Sequence, residues 1–463
     1  MSVASISRRQ FLKTSALVVA GGALAACVAA QPSSGGGSAA PAGEVVELGY
    51  LTPDRELENK VKKIAIDKFN ASAEAAGKSY RIKDVTGPAT DNDLRSKLAL
   101  DGAAGTLPDI FGAYSSQIAD FVAAGYVLDQ KDYLEAWPDW QQYYEVLRKQ
   151  AYYLGSLQGL PGGSTFSWFY RKDVLDGAGI STDQPKTWDD FYAACEQIAT
   201  KTEAKPCGLP AATPWGAGSF YEGFRLVWLG FDDQNIFDES TGQWVVSSPG
   251  LLKSFQVYET LSKNNWLTVD ELLTPNPWEP IKYQEFPEGK TALVTGGDWQ
   301  WTFDWGPSGA TPIEGLFDKV DRWQFPSESG NPFTYVDVTA GPQVAKNTKS
   351  AEGSMEFVKS LGSPDLICEQ MKTYIGGPVG RKDFLDKCSD YSTVVGGKYV
   401  QASEFFENGK AYKFDQIGSD KFAEGIARAT EDIITGAVTA QAAMDAFAAA
   451  MSDSLGADKV KKL

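Results

Sequence analysis

The chain is 463 residues long and acidic, with 60 Asp and Glu against 43 Lys and Arg and a formal net charge of −17. That balance is the opposite of the basic patches a nucleic-acid partner requires. The sequence holds no histidine, which removes Ser-His-Asp and Cys-His catalysis and every His-based metal site. No metal and no other cofactor is therefore expected.

The first element is an export signal. Ser7-Arg8-Arg9-Gln10-Phe11-Leu12-Lys13 closely matches the twin-arginine pattern, and a short apolar stretch follows from Ser15 to Ala26. That stretch falls short of the roughly 20 apolar residues a membrane span needs. It ends in Leu24-Ala25-Ala26-Cys27, the small-residue pattern of a bacterial lipoprotein cleavage site. Residues 1–26 thus read as a signal peptide and Cys27 as the lipidation point. Residues 27–43, rich in Gly, Ser, Ala and Pro, read as a flexible tether. A lipid plus a tether anchors a protein to a membrane without spanning it.

Beyond residue 43 the pattern alternates strand and helix. Residues 44–51 read as a strand, and a charged amphipathic helix runs from about Glu56 to Ala76. Residues 80–87 read as a strand, and Asp91 is placed to cap a helix running to about Ala103. Residues 107–114 form the next strand, followed by a short helix closed at Gly125. Residues 166–171 read as a strand, and 187–200 as a helix opened by a Thr187/Asp190 capping box. Near the C-terminus Phe422, Ile426, Ala429 and Ile433 make one helical stripe that Gly436 stops; Thr439 restarts a second with Met444, Phe447, Met451 and Leu455. Such alternation argues for an α/β fold with mostly parallel sheets.

Besides Cys27 the chain has Cys195, Cys207, Cys368 and Cys388. In an oxidising compartment the local pairs 195–207 and 368–388 would each close a short loop. The alternative for Cys195 is a buried thiol, because Trp188, Phe191, Cys195 and Ile198 share one helical face.

Four stretches carry a family resemblance: residues 105–130, with the Pro-Asp-Ile strand; 159–195, with the Lys-Thr-Trp-Asp-Asp helix start; 286–301, with its Gly-Lys turn and Gly-Gly-Asp-Trp; and 338–365. Together and in this order they resemble family 1 of the extracellular solute-binding proteins, the sugar-receptor lipoproteins of bacterial ABC importers. Arg171 departs from the pattern, standing where the family usually has Asn. The resemblance implies two α/β lobes with a ligand cleft between them, joined by hinge strands. Lobe 1 would comprise 44–160, completed by about 306–375, and lobe 2 would comprise 161–305, completed by about 376–463. Crossings are expected near Pro161–Ser164, after about Trp305 and near Gly376-Gly377-Pro378. It also implies a monomer that captures a carbohydrate by hinge closure and hands it to ABC permease subunits, without chemistry of its own.

The segment TGGDWQWTFDW, residues 295–305, puts three tryptophans beside two acids and a glycine pair. Aromatic rings cover the C–H faces of sugars and carboxylates take their hydroxyls. The resemblance puts Trp299 on the sugar. Trp301 would lie on the same side if the segment were extended, with Asp298 beside them; Trp305 reads as core. Tyr114 and Ser115 end a strand where the family touches ligand, although Gly112 stands where some relatives carry an aromatic. Trp168 and Tyr170 alternate with Phe169, so one face of that strand can line the cleft. Trp215 sits in a Gly/Pro loop, where an exposed aromatic signals function. Asp54 follows the first strand and Asp337 lies on a later one, both at edges that would face the cleft, whereas Arg381 reads as structural. A polyamine would want an acidic aromatic box and a phosphorylated polyol an Arg cluster; either remains an alternative ligand. A secreted glycosidase would need two carboxylates about 5 to 9.5 Å apart across the bond, and nothing in the sequence pairs its acids so.

Overall fold

The computed structural model describes residues 45–463, apart from 232–235 and 413–415. The twin-arginine motif, Cys27 and the tether lie outside the described residues. Two sheets organise two cores. The first sheet has the order β9-β3-β1-β2, formed by β1 (Val46–Pro53), β2 (Tyr80–Gly87), β3 (Ile110–Phe111) and β9 (Gln343–Val344). Strands β1, β2 and β3 run parallel; β9 is antiparallel at the edge. Both faces are covered, as a parallel sheet requires. Helix α1 (Glu56–Ala75) packs Ile66 and Phe69 against Leu48, Ile82 and Ile110, and α2 (Asp91–Ala104) packs Leu94 and Leu98 against Leu51 and Phe111. Helix α3 (Ser115–Ala123) adds Phe121 on that second face. The cap of α2 is Thr90, one residue before the expected Asp91: its hydroxyl accepts from the Asp93 amide at 3.3 Å.

The second sheet is built around β4 (Leu160–Arg171), twelve residues long. Strands β6 (Thr291–Gly297), β7 (Val320–Trp323) and β8 (Tyr335–Gly341) all pair with it antiparallel; only β5 (Lys205–Gly208) and β6 are parallel. The expectation of mostly parallel strands therefore holds for the first sheet and not for the second. The expected return of the chain just after Trp305 also comes later: β7 and β8 still belong to the second sheet, and the first sheet is rejoined at Gln343. Pro161–Ser164 lies inside β4, paired with Asp337–Ala340 of β8 in a two-stranded ribbon. One end of that ribbon, Leu160 and Ala340, packs in the first core; the other, Phe166 and Tyr335, packs in the second.

Local signals explain the remaining elements. Helix α4 (Trp188–Lys201) opens with the expected capping box: the Asp190 amide donates to the Thr187 hydroxyl at 3.1 Å and the Thr187 amide to the Asp190 carboxylate at 2.9 Å. Two C-terminal helices, Ser419–Ile434 and Ala440–Leu455, bury the expected stripes in the second core.

Cys368 and Cys388 form a disulfide as expected, whereas Cys195 and Cys207 are free thiols, which corrects the expected 195–207 pair and leaves the buried-thiol alternative for Cys195. Both free thiols are fully buried, Cys195 on the inner face of α4 and Cys207 on β5. Burial pushes the Cys195 thiol up, and contact with Cys207 adds to it. The two behave as small apolar side chains where helix packs on strand. Among the described residues no helix is long and apolar enough to cross a membrane, and no group of three or more ligating side chains could hold a metal.

Candidate functional site

In open α/β sheets ligands bind beyond the carboxyl ends of parallel strands. The segments following β1, β2 and β3 meet there on the first sheet. Arg55, just past β1, donates to Ala89 O at 3.2 Å and pairs with Glu58 at 3.2 Å and with Asp91. The Tyr114 hydroxyl donates to the same Asp91 oxygen at 2.6 Å, and Arg95 lies 4.2 Å from the Tyr114 ring centre. Ser115 opens α3 beside Tyr114, partly exposed. Asp54 is exposed and accepts from Asn59 at 2.8 Å. Tyr114, Ser115 and Asp54 therefore share one polar rim with Arg55, Asp91 and Arg95.

The ends of β5 and β6 make the opposing rim. Trp299 is half-buried, its ring lying over Gly297, where an added Cβ would come within 1.9 Å of it; only glycine permits that approach. Phe166 meets the indole edge-on at 5.1 Å. Behind Phe166 the guanidinium of Arg225 is sandwiched by Tyr335 at 4.4 Å and Tyr221 at 5.1 Å. Arg225 pairs with Asp337 at 3.1 Å, and the Tyr335 hydroxyl donates to the same carboxylate at 3.2 Å. Asp337 is thus a fixed, partly exposed acceptor near an aromatic face.

Several expected site residues are core instead. The segment after β6 turns as a 3₁₀ helix, Asp298–Trp301, so Trp299 and Trp301 do not share a side as an extended chain would place them. Trp301 is fully buried against Phe169 at 5.0 Å, and Trp305 stacks on Phe286 at 4.4 Å. Asp298 is fully buried and already engaged: it accepts from the Thr165 amide, from the Thr165 hydroxyl at 2.8 Å and from Arg322 at 3.0 Å. Trp168 and Tyr170 are buried too, against Phe191 at 4.7 Å and Trp323 at 4.6 Å. From Thr165 to Arg171 every residue of β4 is buried, so both faces are covered there and neither lines a cleft. Trp215 is mostly buried rather than exposed, its ring over Gly218, with the Lys282 ammonium 5.3 Å from its centre.

Around Trp215 lies a cluster that adds Lys282 and Tyr283 to acids the aromatic segments already carry. Lys282 pairs with Glu222 at 2.9 Å. Buried Asp304 lies close to both and to Tyr283. Burial pushes the Asp304 carboxyl up to about 6; Lys282 pulls it down and Glu222 pushes it further up. Arg55 of the opposite rim lies 5.9 Å from the ring centre of Phe303, so the rims meet there. Asp304 and Glu222 stand out in the sequence as acids within aromatic segments, whereas Arg55 gives no signal beyond its charge.

A family model described as bacterial extracellular solute-binding protein matches residues 65–395, and a twin-arginine translocation signal model matches residues 5–25. Among curated proteins, the diacetylchitobiose binding protein DasA of Streptomyces coelicolor is 28% identical over 221 residues, 45% of this chain and 46% of that one; the match spans about half of that relative's length. Among solved structures, the cyclic alpha-maltosyl-1,6-maltose binding protein of Arthrobacter globiformis is 17% identical with a TM-score of 0.68, covering 89% of this chain and 100% of its own. The GacH receptor of Streptomyces glaucescens, solved unliganded and with acarbose, is 16% identical with a TM-score of 0.69, covering 88% and 99%. MalE of Xanthomonas citri is 18% identical with a TM-score of 0.65, covering 87% and 95%. At these identities the structures establish the fold: a two-lobed periplasmic-binding-protein architecture.

Proposed function

Because the chain belongs to the family of bacterial extracellular solute-binding proteins, exported from the cytoplasm by the twin-arginine route, we propose that it is the carbohydrate receptor of an ABC importer. It captures a mono- or oligosaccharide between its lobes and delivers it to the permease. It acts as a monomer held to the membrane by a lipid on Cys27. The lobes divide along the β4–β8 ribbon, whose bending closes the cleft.

The observation that carries this reading is Trp299. Its ring is set on glycine at the mouth of the second sheet, and Phe166 links it to Arg225, which with Tyr335 locks the carboxylate of Asp337 on the same rim. A flat apolar face with a fixed acceptor on the same rim matches a pyranose, whose C–H face stacks while its rim hydroxyls donate. The relatives named above for sugars support the same class. A phosphorylated polyol fits less well, since Arg55 and Arg225 are paired with carboxylates. With Glu222 and Asp304 nearby, a polyamine is the reading to fall back on if sugars fail. As a binding protein it returns its ligand unchanged.

The test is a tryptophan-fluorescence titration of residues 44–463 with mono- and oligosaccharides, a polyamine and a phosphorylated polyol. Saturation by one sugar class, with the sugar recovered intact, is the expected result. Saturation by the polyamine alone would replace the ligand class, and cleavage of an oligosaccharide would replace the function. Labelled palmitate should enter the full chain and not its Cys27→Ala variant.

A further inference from the structure

The Cys368–Cys388 disulfide lies where the two cores adjoin: both cysteines pack in the second core, and the helix that carries Cys368 also reaches the first. Cys368 lies on α5 (Pro364–Met371), which docks on the first body. There Leu366 enters the first core, Gln370 donates to Val61 O at 2.8 Å, and Glu369 pairs with Lys68 at 2.6 Å. Cys388 is buried in the second core beside Tyr391, whose ring meets Phe384 at 5.0 Å. The bond closes a loop with a sequence separation of 20 residues.

Tyr374 leaves that loop at the meeting of the two rims. Tyr374 is half-buried there: the Tyr399 hydroxyl bridges the adjoining Ile375 carbonyl and Thr302 of the second rim, and Gly377 lies against Gly163 of the β4–β8 ribbon. Burial pushes the Tyr374 phenol up to about 12, with Glu58 adding to it, so it is a neutral donor at any working pH. Gly376 makes the room: a Cβ there would sit 3.1 Å from the Tyr374 oxygen. The Tyr399 hydroxyl, donating to Ile375 O at 3.3 Å, holds the adjoining backbone to the second body.

We propose that the loop closed by Cys368–Cys388 is a third wall of the cleft, that Tyr374 binds the ligand from it, and that the disulfide is the strap keeping Tyr374 in place. A tyrosine on a loop with a Gly376-Gly377 pair would otherwise sample many positions, and each would reduce the fraction of binding-competent protein. Closing the loop removes that freedom without adding a contact. The ligand part of the proposal rests on the carbohydrate reading above; the strap does not.

Two measurements test the parts separately. Amide hydrogen exchange of the ligand-free protein should rise at least tenfold across residues 372–380 in the Cys368→Ser/Cys388→Ser variant, while the first sheet stays protected. Unchanged exchange in that folded variant would overturn the strap. Tyr374→Phe keeps the disulfide and removes one hydroxyl. It should weaken the bound sugar about two- to tenfold, the worth of one hydrogen bond, and Tyr374→Ala more. Wild-type affinity in both, for a ligand that Trp299→Ala loses, would remove Tyr374 from the site. If no sugar binds wild-type protein, the carbohydrate reading falls. The same variants are then titrated with whichever panel ligand binds, and the exchange result stands by itself.

Discussion

The two rims of the cleft are built from different materials. On the first sheet the rim is polar and partly exposed: Arg55, Asp91, Tyr114 and Arg95 hold one another through ion pairs and hydrogen bonds. On the second sheet it is aromatic and backed by core: Trp299 on glycine, Phe166 behind it, and a buried arginine fixing Asp337. A rim rooted in a packed core presents its groups already ordered and loses little entropy on binding. A rim of paired surface charges is held by weak, screened contacts and can rearrange as the cleft closes. On the proposed reading the second rim would grip a ligand first, and the first would respond as the cleft closes.

That contrast yields experiments of decreasing size. Asp298→Ala should cost about 3–5 kcal/mol of stability, because it leaves the half-buried Arg322 without its carboxylate and the buried Thr165 amide without an acceptor. Chemical denaturation measures it, and a small loss would mean the second rim is not rooted as described. Trp299→Ala should weaken ligand binding by one to three orders of magnitude, about 1.4–4 kcal/mol, with little change in melting temperature; unchanged affinity would take Trp299 out of the site. Asp304→Asn sharpens the comparison through pH. The folded carboxyl titrates at about 6, above an unfolded value of about 3.9. The native state thus binds the extra proton in that window. The stability this proton brings is full below about pH 4 and lost as pH rises through about 6, a swing of about 2–3 kcal/mol. Melting curves from pH 4 to 7 should show the decline in wild-type protein and a flatter profile in the variant. Arg55→Ala should be smallest, a two- to fivefold loss of affinity that shrinks further in high salt, since its partners are screened surface charges. A large, salt-independent loss would make the first rim a primary grip.

Much of the architecture was legible. The strand–helix alternation of the first sheet, the Thr187/Asp190 capping box and the two C-terminal stripes each depend on short-range patterns that the structure keeps. The reach of β4 was not, because Pro161-Gly162-Gly163 reads as a break, whereas here the residues pair with β8 along a ribbon. The site was half legible. Trp299 follows from its glycine turn. Trp168, Tyr170 and Trp301 carry the same chemistry and are buried, because period-two reasoning assumes one covered face and one open one. From Thr165 to Arg171 strand β4 has none open, and the turn at Asp298–Trp301 has no such period. Arg55, Tyr374 and Asp304 come from three distant stretches, and only the folded chain brings them together.

The ribbon of β4 and β8 also limits how the two bodies can move. Its seven paired positions, from Phe166↔Tyr335 to Leu160↔Gly341, run along the connection between the cores. Two hydrogen-bonded strands slide past each other only by breaking the whole ladder in register. They bend or twist across their width at far smaller cost. Sliding is thus the forbidden direction, and rotation about an axis across the ribbon is the soft one. The cleft is geared to open like a book along its spine, and each ligand meets the same two pages in the same alignment.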